Sequence, residues 1–205
     1  MNTTTNLRTR KLVQLALFTA IILLMAFTPI GYIKTLGLEI TLIVIPVSVG
    51  AIILGPTGGA VLGAIFGLTS FAQCFGMSPF GAALLGINPL GTLIVCLIPR
   101  VLMGWLTGLI FIGVKKYNKN ISFAVANLVG PLLNTIFFMT TLLLLFYNSD
   151  LIQGIADQLG TKNIFAFVIA FVGINGLVEA IVCFVVGTVV AKSVDTFARR
   201  SSTII

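Results

Sequence analysis

Charge is scarce in this sequence: only 8% of its 205 residues are Asp, Glu, Lys or Arg, against about 25% in soluble globular chains. A surface that poor in solvated groups cannot face water, so lipid must be the solvent for most of the molecule. Histidine is absent altogether, which removes Ser–His and Cys–His nucleophile pairs and the HExxH zinc site. There is no GxxxxGK[ST] loop to cradle ATP. Asp150, Asp157 and Asp195 lie outside the apolar runs, so no aspartyl dyad can form within a membrane. These absences argue against an enzyme and against a cofactor carried by this chain. The three cysteines, Cys74, Cys96 and Cys183, are odd in number, widely spaced and embedded in apolar segments. They read as structural thiols rather than as a disulfide or metal site.

What is present is hydrophobicity: 58% of residues are apolar and the mean hydropathy is +1.16. A membrane-spanning helix needs roughly 20 apolar residues, so the expected fold is all-α, an integral membrane bundle of six transmembrane helices. The runs are 12–30, 40–54, 59–75, 92–114, 121–147 and 164–191. The first is read as a span, not a cleavable signal. The second is short, and Pro46 is expected to break or tilt it. The segment 76–91, GMSPFGAALLGINPLG, and the polar stretch 148–163 are expected as loops. This divides the chain into a cytoplasmic tail (1–11), a six-helix substrate-binding domain (12–191) and a second cytoplasmic tail (192–205).

Orientation follows from the basic residues. With the N-terminus inside, the cytoplasmic side receives Arg8, Arg10, Lys11, Lys115, Lys116, Lys119, Lys192, Arg199 and Arg200, and the outside only Lys34 and Lys162. That asymmetry places both termini in the cytoplasm. The same dispersal argues against nucleic acid, which would need a basic patch.

Two charges remain inside the spans, Arg100 and Glu179. Each costs about 2.5–3.5 kcal/mol at a span centre, so each is expected to face the bundle interior. Gly104 and Gly108 continue the face of Arg100 at helical spacing, and small residues mark helix–helix interfaces. Asn175 shares a face with Glu179; Asn127 and Asn134 share one in the fifth span; Gln73 and Asn88 flank the uncharged outer segment. One reading is a structural Arg100–Glu179 pair with amides bonding between helices. The other is a polar pocket in the outer half, with Arg100 available to a ligand anion. Gly59, Gly63 and Gly67, at intervals of four, are expected to pack within the bundle. Ala16 and Ala20 repeat that spacing on the first helix.

A basic N-terminus running into Ala16-x-x-x-Ala20, the stretch PVSVGAIILGPTGG (46–59) and the run PRVLMGW (99–105) resemble the substrate-binding S components of energy-coupling factor (ECF) vitamin transporters. Residues 37–75, PRVLMGW and GPLLNT (130–135) look most like the pantothenate-specific type. The resemblance implies high-affinity vitamin capture from outside, followed by delivery through a transmembrane coupling subunit and two cytoplasmic ATPases. It assigns Ala16 and Ala20 to the coupling subunit, and segments 33–39 and 76–91 to covers over the pocket. One tryptophan and no histidine argue against a stacked ligand such as thiamine. Pantothenate, with its carboxylate, amide and hydroxyls, suits Arg100, Asn134, Asn175 and Glu179. Folate, riboflavin, cobalamin, pyridoxine or a thiamine precursor are the alternatives within the family. A self-sufficient secondary transporter is the alternative outside it, though Glu179 is the one carboxylate in a span and the two halves show no repeat.

Overall fold

Prolines and glycines punctuate the apolar chain, and the helices begin where they permit. The computed structural model describes residues 3–29, 31–33, 40–161 and 163–203, with the side chains of 3–7, 33, 40, 174, 175 and 197–203 left aside. The helices are α1 (Thr3–Ala26), α2 (Val44–Leu54), α3 (Pro56–Gln73), α4 (Pro79–Ile87), α5 (Pro89–Lys115), α6 (Lys119–Phe146), α7 (Asp150–Gln158) and α8 (Ile164–Thr203). A two-residue antiparallel ladder, β1 (Tyr32–Ile33) with β2 (Ile40–Thr41), precedes α2. Pro56, Pro79 and Pro89 each open a helix, where the missing N–H has no partner to lose. Asn88 caps α5 by accepting the Gly91 N–H at 3.0 Å, and Ser78 caps α4 from Gly81 at 3.4 Å.

Among the described residues, four helices are long and apolar enough to cross a membrane: Arg8–Ala26, Pro89–Lys115, Lys119–Phe146 and Gly176–Thr196. Four expectations need correction. Pro46 breaks nothing, because α2 starts only at Val44 and a proline in a first turn removes no helical bond. Segment 76–91 is mostly helix α4. Segment 148–163 contains α7, an amphipathic helix that buries Ile152 and Ala156. The sixth span is interrupted: Gly173 has φ 42° and ψ −136°, a conformation open to glycine because it has no Cβ, and it separates Ile164–Gly173 from Gly176–Thr196.

Burial divides into two apolar regions. Ile22, Ile43, Val47, Leu62, Phe66, Met103 and Phe123 fill one, drawn from α1, the turn before α2, α2, α3, α5 and α6. Leu84, Val95, Leu142, Phe146, Ile152 and Phe167 fill the other, where α4 and α7 close over α5, α6 and α8. Between them α3 and α5 run antiparallel with almost nothing separating their backbones. A Cβ on Gly59 would strike the Gly104 carbonyl, one on Gly63 the Arg100 carbonyl, and one on Gly67 would stand 2.8 Å from the Cys96 oxygen. Gly108 meets Pro56 in the same register. The glycine stripe therefore packs internally, as its spacing predicts.

That contact makes a prediction. Gly63→Ala forces the two helices apart, and overpacking of this kind costs about 1–3 kcal/mol. Gly113→Ala on α5, with nothing within 4 Å, is the control. Thermal unfolding in detergent should show a lower Tm for the first and none of that loss for the second. Equal Tm values would mean that the α3–α5 seam yields freely.

Candidate functional site

Pro99 explains how Arg100 is held. A proline inside a helix has no N–H, so the carbonyl four residues earlier loses its bond; here that is Val95. The Arg100 Nη1 donates to the Val95 oxygen at 2.7 Å, so the side chain satisfies the carbonyl that its neighbour orphans. The guanidinium carbon lies 4.9 Å from the Phe138 ring centre and 5.4 Å from that of Phe66, within cation–π range. Arg100 is only 7% exposed, and its Nε has no hydrogen-bond partner among the described residues.

Glu179 comes from α8, below the Gly173 break. Its Oε2 accepts the Thr41 backbone N–H at 3.1 Å, which fastens the β2 strand to α8. Oε1 has no partner among the described residues, although the residue is only 7% exposed. Asn134 of α6 lies beside the same carboxylate, and its Oδ1 is likewise buried and unpaired. Gln73, at the end of α3, donates to the Ala26 carbonyl in the last turn of α1.

These four residues line one cavity of about 360 Å³. Its wall also includes Tyr32 and Thr41 of the ladder, Phe80 and Leu84 of α4, and Cys74, Val95, Cys96, Thr135, Phe138, Val172 and Gly176. Its composition is that of a small-molecule site: mostly apolar, with a few polar groups aimed inward. Arg100 and Glu179 share the cavity without forming an ion pair, and Arg100 has no carboxylate within 4.0 Å among the described residues. The two charges face one cavity without direct contact, and the Arg100 charge still acts on the Glu179 carboxylate across it.

Of the remaining candidates, Asn88 is exposed and caps α5, outside the cavity lining. The Asn175 side chain lies outside the described residues, as does most of segment 33–39. Asn127, one face with Asn134 but two turns away, instead donates to the Phe123 carbonyl at 2.8 Å and packs on Gly187. Ala16 and Ala20 are exposed on the outer surface of α1, beside Leu12, Leu17 and Leu24, each about 60% exposed. Cys74 and Cys96, which the sequence reads only as structural thiols, and Thr135 and Phe138, which it does not mark, are small or apolar and look like any others in a span. Val95 had a signal, since it stands four before Pro99.

Comparison with known proteins now decides the family. A family model for the substrate-specific component of ECF transporters matches residues 10–191. The chain is an ECF transporter substrate-specific component. Two relatives agree. The pantothenic acid transporter PanT of Lactococcus lactis subsp. cremoris is 32% identical, across 79% of this chain and 80% of that one. The pantothenate transporter PanT of Leuconostoc mesenteroides subsp. mesenteroides is 28% identical, across 96% and 97%. As an S component, this is a membrane transport protein.

Proposed function

We propose that this S component binds pantothenate from outside the cell and delivers it through a coupling subunit driven by two ATPases. The observation that carries the reading is the set of unpaired buried groups around one cavity. Arg100 Nε is a cationic donor, while Glu179 Oε1 and Asn134 Oδ1 are acceptors. Leaving buried polar groups unmet is expensive, so the complement they call for is an acid that also carries hydroxyl or N–H donors. Pantothenate has that pattern, and both named relatives are pantothenate transporters by name. The aliphatic remainder fits the walls from Phe80, Leu84, Phe138 and Val172. Titration calorimetry of the purified protein tests it: pantothenate binds, and riboflavin, folate or a thiamine precursor binding in its place would overturn it.

The membrane arrangement belongs to the same proposal. α2 with β2, and α3, supply the second and third crossings, giving six with both termini in the cytoplasm, as the basic residues demand. Single cysteines placed at 150–158 and 79–87, in a background without the native three, should react with an impermeant maleimide added outside. One at Tyr117, which is 92% exposed, should not. Outside labelling at Tyr117 would invert the topology.

Pro99 gives a test with effects of opposite sign. Pro99→Ala returns an N–H to the Val95 carbonyl and removes a helix-interior proline, so thermal stability should rise. Arg100 then loses its tether; a hydrogen bond to a charged group is worth about 1.5 kcal/mol, so pantothenate affinity should fall about ten-fold. Unfolding temperature and calorimetric Kd read the two separately. Unchanged affinity in a more stable protein would show that the tether does not position Arg100.

A further inference from the structure

Cys74 and Cys96 are free and buried, yet they are not independent. Their sulfurs stand 3.9 Å apart, and both line the cavity that holds Arg100. Cys183 lines no part of it. We infer that Cys74 and Cys96 form a reversibly oxidisable dithiol in the cavity wall, a modification site whose reagent is a small disulfide. This inference rests on the proposed function for what oxidation does to the ligand and for the side of the membrane on which the cavity opens.

The chemistry is thiol–disulfide exchange. One cysteine thiolate attacks a sulfur of the small disulfide, forming a mixed disulfide and releasing one thiol. The second cysteine then attacks the protein-bound sulfur, closing Cys74–Cys96 and releasing the other thiol. Two protein thiols are oxidised and one disulfide is reduced to two thiols, so atoms and electrons balance. The proposed topology puts the cavity mouth outside the cell, where disulfides persist.

The two residues differ in freedom. Cys96 sits two turns into α5, with its carbonyl against Gly67 in the tight seam. Cys74 is the C-cap of α3, at the start of a turn. Closing from 3.9 Å to the ~2.05 Å of a disulfide therefore draws Cys74 toward Cys96. Gly81 of α4 rests on Cys74, and a Cβ there would stand 2.6 Å from the sulfur. Moving Cys74 changes that contact, and α4, which supplies Phe80 and Leu84 to the cavity, shifts with it. Oxidation thus deforms the ligand site and lowers its affinity.

The experiment uses the purified full chain, treated with oxidised glutathione or with dithiothreitol. Peptide mass mapping should find a Cys74–Cys96 bond with Cys183 free, reversed by dithiothreitol. Pantothenate affinity should fall at least about ten-fold in the oxidised protein relative to the same protein reduced. In the double variant Cys74→Ser/Cys96→Ser, serving as its own reference, the oxidised-to-reduced ratio should be one. Thiols that stay free, or a bond that leaves affinity unchanged, would overturn the inference. If the reduced protein takes up no pantothenate, the functional reading fails, and the mapped bond alone then decides the modification site.

Discussion

Arg100→Ala is expected to weaken pantothenate binding by two to four decades. A guanidinium presents a fork of donors that matches a carboxylate, and this one is buried, lies over the rings of Phe66 and Phe138, and has an Nε with no partner among the described residues. Removing one partner of a buried charge pair costs about 3–5 kcal/mol, which gives that range of affinity. Arg100→Lys keeps the charge but not the fork, and should fall between the two. The competing idea is that Arg100 only offsets Glu179 across the cavity. It predicts that Arg100→Ala unfolds the protein and that adding Glu179→Gln restores both stability and binding. Glutamine can still accept the Thr41 N–H, so the double variant keeps β2 fastened. Calorimetry on it separates the two views: recovered affinity would remove Arg100 from the binding site.

The second large effect is on transport alone. Ala16 and Ala20 lie on an exposed face of α1, far from any role in lining the cavity. Small residues at this spacing let helices approach closely, and we propose this face as the seat of the coupling subunit. Replacing both with leucine should abolish most uptake in cells that contain the complete transporter, while the isolated protein binds pantothenate as before. Binding that fell in step with uptake would make the pair internal packing residues and end the docking idea.

Much of the helical layout was legible because apolar runs end where water-preferring or helix-opening residues stand. Asn88–Pro89 and the KKYNKN stretch bound α5 and α6 within a few residues of the expected spans. Arg100, Glu179, Asn134 and Gln73 converged on one cavity for the reason that made them conspicuous: lipid would not tolerate them, so they turned inward. Asn88 misled because an asparagine before a proline is also a helix cap, and here it caps. The helices α4 and α7 were hidden by glycine, proline and polarity, although Ser78–Pro79 and Ser149–Asp150 are start signals. The break at Gly173 had no local signal, since a glycine in an apolar run looks the same whether it packs or bends. The thiol pair was invisible for another reason: residues 22 apart in sequence meet only because the glycine seam brings α3 and α5 together.

That seam also has a mechanical meaning. Side chains act as springs between helices, absorbing a push by changing rotamer; α3 and α5 have no such springs at Gly59, Gly63 and Gly67, where backbone rests on backbone. The two helices behave as one girder. Arg100 rides on it at one level, and Gln73, at the end of α3, grips the Ala26 carbonyl of α1. The cavity wall and α1 are thereby joined through one rigid pair of helices and a single side-chain hydrogen bond.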